Sequence, residues 1–206
     1  ILMIVTMIIP FVSAAAPTVT DAFDQPTSLV VSEDSNHKFS ITVASAVDAG
    51  DTLILTFPSS FDTSSIVEDD IDVADDGVDL TTGSDCSAAE QASVVMALDV
   101  LTVTICLGDG GDITAGSLVT IEIGTNAAAS GLGANRIENP SNVGTYYINL
   151  NGTFGDYGSI PVPIISGIDG GEVSAVVSTP SSGGGGGSAT SNTITISSPN
   201  GGESVP

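Results

Sequence analysis

The sequence predicts an all-β protein, an antiparallel sandwich of immunoglobulin-like type with about seven to nine strands. Three observations lead there. Short apolar runs rich in Val, Ile, Leu and Thr alternate with polar residues at period two. Gly and Pro, 24 and 10 of the 206 residues, punctuate these runs. No stretch sustains a convincing helical period, although Ala88, Ala89, Glu90, Gln91 and Ala92 have the propensity for a turn or two of helix.

In chain order, Pro17 to Pro26 reads as an extended lead-in. Phe39, Ile41 and Val43 alternate with Ser40 and Thr42, which gives a strand with one buried face. A turn at Asp48 to Asp51 follows, then Leu53, Leu55 and Phe57 alternate until Pro58 stops the strand. The two runs are close enough to be expected to pair as a hairpin. Ser59 to Thr82 is acidic and loop-like, with a short strand at Ile71 to Val73. Ser93 to Met96 and Val100 to Leu107 form a second expected hairpin, with Leu101, Val103, Ile105 and Leu107 on one face. Val119, Ile121 and Ile123 share a face of the next strand, and Asn126 to Asn135 is an Ala- and Gly-rich loop. Tyr146, Ile148 and Leu150 alternate again, placing Tyr146 inward and Tyr147 in solvent. Pro161 and Pro163 suit Ile160 to Ile165 to a sheet edge, because proline cannot donate to a ladder.

The two ends of the chain read differently from the middle. Ile1 to Val12 is apolar apart from Thr6 and Pro10 and leads into Ser13-Ala14-Ala15-Ala16. It is short for a membrane span of about 20 residues, and it fits the apolar core and small-residue cleavage zone of a secretory signal, with the cut expected after Ala14. A retained anchor and a pilin-like assembly helix are the alternatives. Cys86 and Cys106 agree with export, since an oxidising compartment permits a disulfide. A loop of that size would contribute roughly 3 kcal/mol in the chain-entropy model; two buried free thiols are the other reading. The expected organisation is a signal remnant over 1–14, a lead-in over 15–26 and the sandwich over 27–178. A flexible Ser/Gly linker over 179–191, carrying Gly183 to Gly187, precedes the start of a second Ig-like module over 192–206. The chain is expected to continue beyond both ends.

The stretch Ile194-Thr195-Ile196-Ser197-Ser198-Pro199-Asn200-Gly201-Gly202-Glu203 resembles the first strand and turn of Ig-like modules of the Kre9/KNH family. That resemblance implies a repeated module of secreted bacterial proteins. The main domain is similar in style to sandwich modules of bacterial surface proteins, through Leu53 to Pro58, Ile113 to Ser117, and Asn139-Pro140 leading to Gly144-Thr145-Tyr146. It implies an architecture shared by adhesins, stalks and envelope proteins, and no activity.

Charge narrows the partners. Against 25 acidic residues stand Lys38 and Arg136 alone, for a net charge of -23. Nucleic acid binding needs many cations to release counterions from phosphates, so nucleic acid is excluded, and an anionic membrane is no partner for the mature domain. The acidity suits solubility, high salt or cations. Calcium wants six to eight oxygens, and the densest offer is Glu68, Asp69, Asp70 and Asp72 with Asp75, Asp76 and Asp79. Asp109 with Asp112 and Asp169 with Glu172 are smaller groups, and none has EF-hand spacing. A solvated acidic surface is the plainer reading of all three.

Asn151-Gly152-Thr153 is an N-glycosylation sequon. Tyr146, Tyr147, Tyr157 and Phe154 are candidates for a sugar-stacking platform, though alternation favours Tyr146 as core. No nucleophile elbow or phosphate loop occurs, and His37 reads as an exposed polar residue at a strand start. The expectation is therefore an exported, non-catalytic structural or interaction module that spaces or displays further modules of the same chain. Glycans or other surface proteins are the candidate partners. A carbohydrate-binding or adhesive module, an accessory domain of a secreted hydrolase and a pilin-like subunit are the rival readings.

Overall fold

A computed structural model describes residues 19, 21–129, 131–167, 173–176 and 193–196. The expected signal segment, the cut after Ala14, the glycine linker and the Ser198 to Glu203 turn lie outside these residues. The chain divides into two units at Ser166 and Gly167.

Fifteen strands occur among the described residues. The first seven are β1 (Ala22–Asp24), β2 (Asp34–Ser35), β3 (His37–Thr42), β4 (Thr52–Thr56), β5 (Ile71–Asp75), β6 (Val78–Asp79) and β7 (Thr82–Gly83). Then come β8 (Ala92–Ala97), β9 (Val100–Ile105), β10 (Leu118–Ile123), β11 (Ile137–Glu138), β12 (Gly144–Gly152) and β13 (Gly158–Ile164). The second unit holds β14 (Val173–Val176) and β15 (Thr193–Ile196), which pair antiparallel with Val173 opposite Ile196. The one helical element among the described residues is a 3-10 turn at Glu68–Asp70. No described helix is long and apolar enough to cross a membrane.

The first unit is the expected antiparallel β-sandwich of immunoglobulin-like type. One sheet has the order β1-β3-β10-β5-β6, the other β13-β12-β4-β9-β8-β7. Pairing is antiparallel throughout both, except for the short parallel contact of β7 with β8. Phe39, Ile41, Ile71, Val73, Val119, Ile121 and Ile123 face inward from the first sheet, and they join Leu53, Leu55, Val94, Leu101, Val103, Ile105, Ile148, Leu150, Ile160 and Val162 of the second in one core. Period-two alternation produces this: β9 and β13 bury every second residue. Along β5 the rule breaks, and Ile71 to Ala74 are all buried, because the 124–135 loop lies against its outer face, with the Ala129 amide bonded to Asp72.

Strands β3 and β4 do not form the expected hairpin. The chain between them crosses from one sheet to the other. Val43 donates to the Ser117 carbonyl before β10, Val47 bridges Ile113, and Gly50 donates to the Ile105 carbonyl at the end of β9. Proximity in sequence was outweighed by the two partners each strand finds at long range, β1 and β10 for β3, β9 and β12 for β4. Leu107 also departs from expectation. Strand β9 ends at Ile105, and Leu107 lies beyond it, 77% exposed. The helix-prone run at 88–92 is not helical and leads directly into β8. The second expected hairpin is present as β8 and β9, and β13 sits at the edge of its sheet as its prolines require.

The β8–β9 turn carries strain. Leu98 and Asp99 both have positive φ, 48° and 64°, as a two-residue hairpin turn demands, yet neither is glycine. Asp tolerates this region because its short polar side chain bonds locally; leucine does not. Leu98 is 96% exposed, so no packing offsets its cost. Leu98→Asn is expected to raise unfolding stability by about 0.5–1 kcal/mol, read as a higher urea midpoint at unchanged slope. A lower midpoint would contradict this account of the turn.

Candidate functional site

The acidic stretch was the main sequence candidate, and its carboxylates point in several directions. Glu68, Asp69 and Asp70 sit on the 3-10 turn, but only Asp70 is buried. Its Oδ1 accepts the Ala134 and Asn135 amides at 2.7 and 2.9 Å, and its Oδ2 accepts the Val67 amide and Asn135 Nδ2, both at 2.9 Å. Asp72 Oδ2 accepts the Ala129 amide at 2.6 Å. Asp76, in the left-handed region, takes the Leu118 amide on Oδ1 at 2.9 Å and the Ser117 hydroxyl on Oδ2 at 3.3 Å. Strand alternation sends Asp72 and Asp75 to opposite faces of β5. Among the described residues no group of three or more acidic, His or Cys side chains is placed to hold a metal ion. Asp109 and Asp112 stand at the surface end of the β9–β10 connection; Asp169 and Glu172 lie outside the described residues.

Asp70 and Asp72 together fasten the loop between β10 and β11 against the sheet. Burial pushes the Asp70 carboxyl up, but the hydrogen bonds from Asn135, Val67 and Ala134 outweigh it and hold the group below the ordinary carboxylate range. The loop needs this anchor because it is folded tightly. Gly124 has φ of 122°, and a side chain on Gly133 would run into the Gly124 carbonyl.

The structure corrects the sequence reading of His37. It is fully buried, with Nδ1 2.6 Å from Asp24 Oδ2, and both side chains are closed to solvent. One hydrogen bond joins the imidazole and the carboxyl group between these two atoms. The imidazole stacks on Phe39 at 5.9 Å and takes the Phe57 and Phe61 rings edge-on, each at 6.1 Å. Neither His37 Nε2 nor Asp24 Oδ1 has a hydrogen-bond partner among the described residues. The signal was present in the sequence: 37, 39, 41 and 43 share one parity, so a strand that buries Phe39 and Ile41 also buries His37. Asp24 stands opposite Phe39 in the β1–β3 register, which brings it to the same face.

The remaining candidates are dispersed. Cys86 and Cys106 form a disulfide with a Cα separation of 5.4 Å, tying the 84–91 segment to the end of β9. Asn151 is exposed on β12, and Thr153 of the sequon bonds Asp51 and the Thr52 amide. Tyr146 packs on Phe61 at 5.6 Å and donates its hydroxyl to the Asn142 carbonyl. Phe154 is buried while Tyr147 is exposed, so these aromatics do not assemble into one surface platform. Lys38 pairs with Glu122 at 2.8 Å and Arg136 with Asp34 at 3.7 Å.

Neither a family model nor a curated protein matches this chain. Among the solved structures with loose similarity to this chain are three at 12% identity each. BslA, a bacterial hydrophobin, aligns with a TM-score of 0.41 over 71% of this chain and 99% of its own. BcpA, the major pilin subunit of Bacillus cereus, aligns at 0.39 over 73% of this chain and 40% of its own. A protein from Nocardia farcinica with an immunoglobulin-like fold aligns at 0.32 over 86% and 98%. The assignment of the fold stands on this chain's own strand pairing.

Two outcomes follow from the site. Asp70→Ala strands several buried amides and is expected to cost roughly 3 kcal/mol in urea unfolding. Because the folded-state value of Asp70 is depressed, its stabilisation is complete above the unfolded value of about 3.9 and is lost as pH falls through the folded one. Stability measured from pH 6 downward (a range of about 4 pH units) should fall less steeply in Asp70→Asn than in the parent chain; equal slopes would remove Asp70 as the titrating group. For the buried pair, Asp24→Leu and His37→Phe should each cost about 3 kcal/mol by leaving one polar partner alone. The double variant should cost less than their sum by more than about 1 kcal/mol. Simple additivity would show that the contact contributes nothing.

Proposed function

We propose that this chain is an exported, non-catalytic structural or interaction module of a larger cell-surface or secreted protein, spacing or displaying further domains. The observation that carries the reading is the Cys86–Cys106 disulfide, since such bonds persist in oxidising, extracytoplasmic compartments. Other observations support it. The buried carboxylates hold loops to sheets, a scaffold task. The imidazole of His37 is enclosed by Phe39, Phe57 and Phe61 and bonded to Asp24, a core position that supports a packing role. Both cations already pair with carboxylates, which speaks against phosphate binding.

Fractionation of the cells that make the protein tests this reading. The product should be found outside the cytoplasm, with a mature N-terminus after Ala14 and with Cys86 and Cys106 unreactive to alkylation until reduced. Cytoplasmic protein with both thiols freely alkylated would overturn it.

A further inference from the structure

The second sheet ends differently on its two sides. At one edge β13 turns Pro161 and Pro163 outward, and proline offers no N–H to an incoming strand. At the other edge β7 covers only the start of β8, pairing Thr82 with Ala92 and Gly83 with Ser93. From Val94 to Ala97, β8 has no strand beside it on that side among the described residues.

The hairpin register shows which groups are open. Ala97 and Val100 close the two-residue turn, so Ala97, Val95 and Ser93 direct their backbone groups to β9. Val94 and Met96 direct theirs away from it. The parallel register with β7 uses the Val94 amide, which leaves the Val94 carbonyl and both backbone groups of Met96 on the open side.

A trough follows this edge. One depression of about 220 Å³ is lined by Ile66, Val67, Glu68, Ser84 and Val94 to Met96. A second of about 320 Å³ is lined by Asp62 to Ser64, Ile66, Met96, Leu98 and Asp99. Ile66 and Met96 belong to both, so the two form a continuous strip. Its apolar side chains stand in solvent: Val67 is 53% exposed, Val95 44% and Leu98 96%. Leu98 is the clearest case, because it keeps an apolar side chain where the backbone disfavours it and nothing covers it. Such local conflict marks a position held for a task other than stability.

The rim carries Asp62, Glu68 and Asp99 and no cation, while Lys38 and Arg136 are engaged elsewhere with Glu122 and Asp34. A second copy of this chain, also at -23, is repelled from such a surface. We propose that the open edge of β8 docks an extended segment of a partner protein in which Lys or Arg alternates with apolar residues. The segment adds as a strand beside Val94 to Ala97, its main chain bonding the open groups and its cations meeting the acidic rim. This deepens the interaction reading above, but it does not depend on export and is tested on the purified chain alone.

The probe is a labelled eight-residue peptide of alternating lysine and valine (about the length of one strand), titrated onto the whole chain by fluorescence anisotropy. Saturable binding below about 1 mM is expected, weakened at least threefold by 0.5 M salt, about a 4 Å screening length, and with at least tenfold slower exchange of the Met96 amide. Methylating alternate backbone nitrogens of the peptide on its pairing side should abolish binding to the unaltered chain, and Met96→Pro should do so from the protein's side. Absence of binding, or binding that survives the methylated peptide, overturns the proposal. So does equal binding of a glutamate–valine peptide, which would remove the charge argument. Dimerisation of the chain through Met96 at the same concentrations overturns it too, by identifying a second copy as the occupant. Loss of export with peptide binding intact would strike the functional reading and leave this one standing.

Discussion

The two facing sheets require each central strand to turn one complete face into the core, and β3 meets that demand with an imidazole in the row. His37, Phe39 and Ile41 are all fully buried, and β3 is flanked by β1 on one side and β10 on the other. A buried imidazole without a partner is costly, so β1 must bring a hydrogen-bonding group to that face at that height. The register places Asp24 opposite Phe39, and the carboxylate reaches His37 Nδ1. Pairing of an edge strand is thereby tied to the chemistry of the core. Slipping β1 by one residue would turn Asp24 to the outside and Phe23 inward. The aromatic rings of Phe39, Phe57, Phe61 and Tyr146 then close around the pair and join both sheets.

Acidity has a structural use as well as a solvent one. Asp70, Asp72, Asp76 and Asp156 each accept main-chain amides from a distant segment. Asp156, for example, takes the Ala44 and Ser45 amides at 2.5 and 3.1 Å, where the chain leaves β3. An ionised carboxylate accepts only, with room for several donors, and an irregular loop presents donors that no ladder satisfies. A sandwich with long connections has many such loops. Part of the acidic excess therefore works as loop anchors, which explains why the dense 68–76 stretch disperses its side chains instead of gathering them around an ion.

What could be read in advance was what is local. Period-two runs located β3, β4, β9, β10 and β12, short apolar runs marked β5 and β8, and the prolines placed β13 at an edge. The bond between Cys86 and Cys106 was suggested by the export signal, through the oxidising compartment it implies, and it is present. Partner choice was not legible, because a strand's pattern says which face is buried and not which neighbour lies beside it; the crossing between β3 and β4 depends on residues 113 to 117, far along the chain. His37 was misjudged by residue type although parity placed it inward. The role of Asp70 was hidden, since its donors, Ala134 and Asn135, lie 64 and 65 residues away in what reads only as a loop. Leu107 followed the alternation one step past the point where Cys106 is drawn to Cys86.

Charge and edge chemistry combine in the second sheet. An uncovered strand edge is a template for any extended chain, and self-association is the usual hazard. Proline solves this at β13 by removing donors, a remedy that blocks every partner alike. At β8 the donors remain, and the chain's own charge takes over the protective task. Each approaching copy carries the same large negative charge, and repulsion acts over a Debye length of about 8 Å at physiological salt, before main-chain bonds can form. The same field draws in a cationic segment. An edge guarded by charge is selective where one guarded by proline is closed, and the selectivity follows from the excess of 25 carboxylates over two cations.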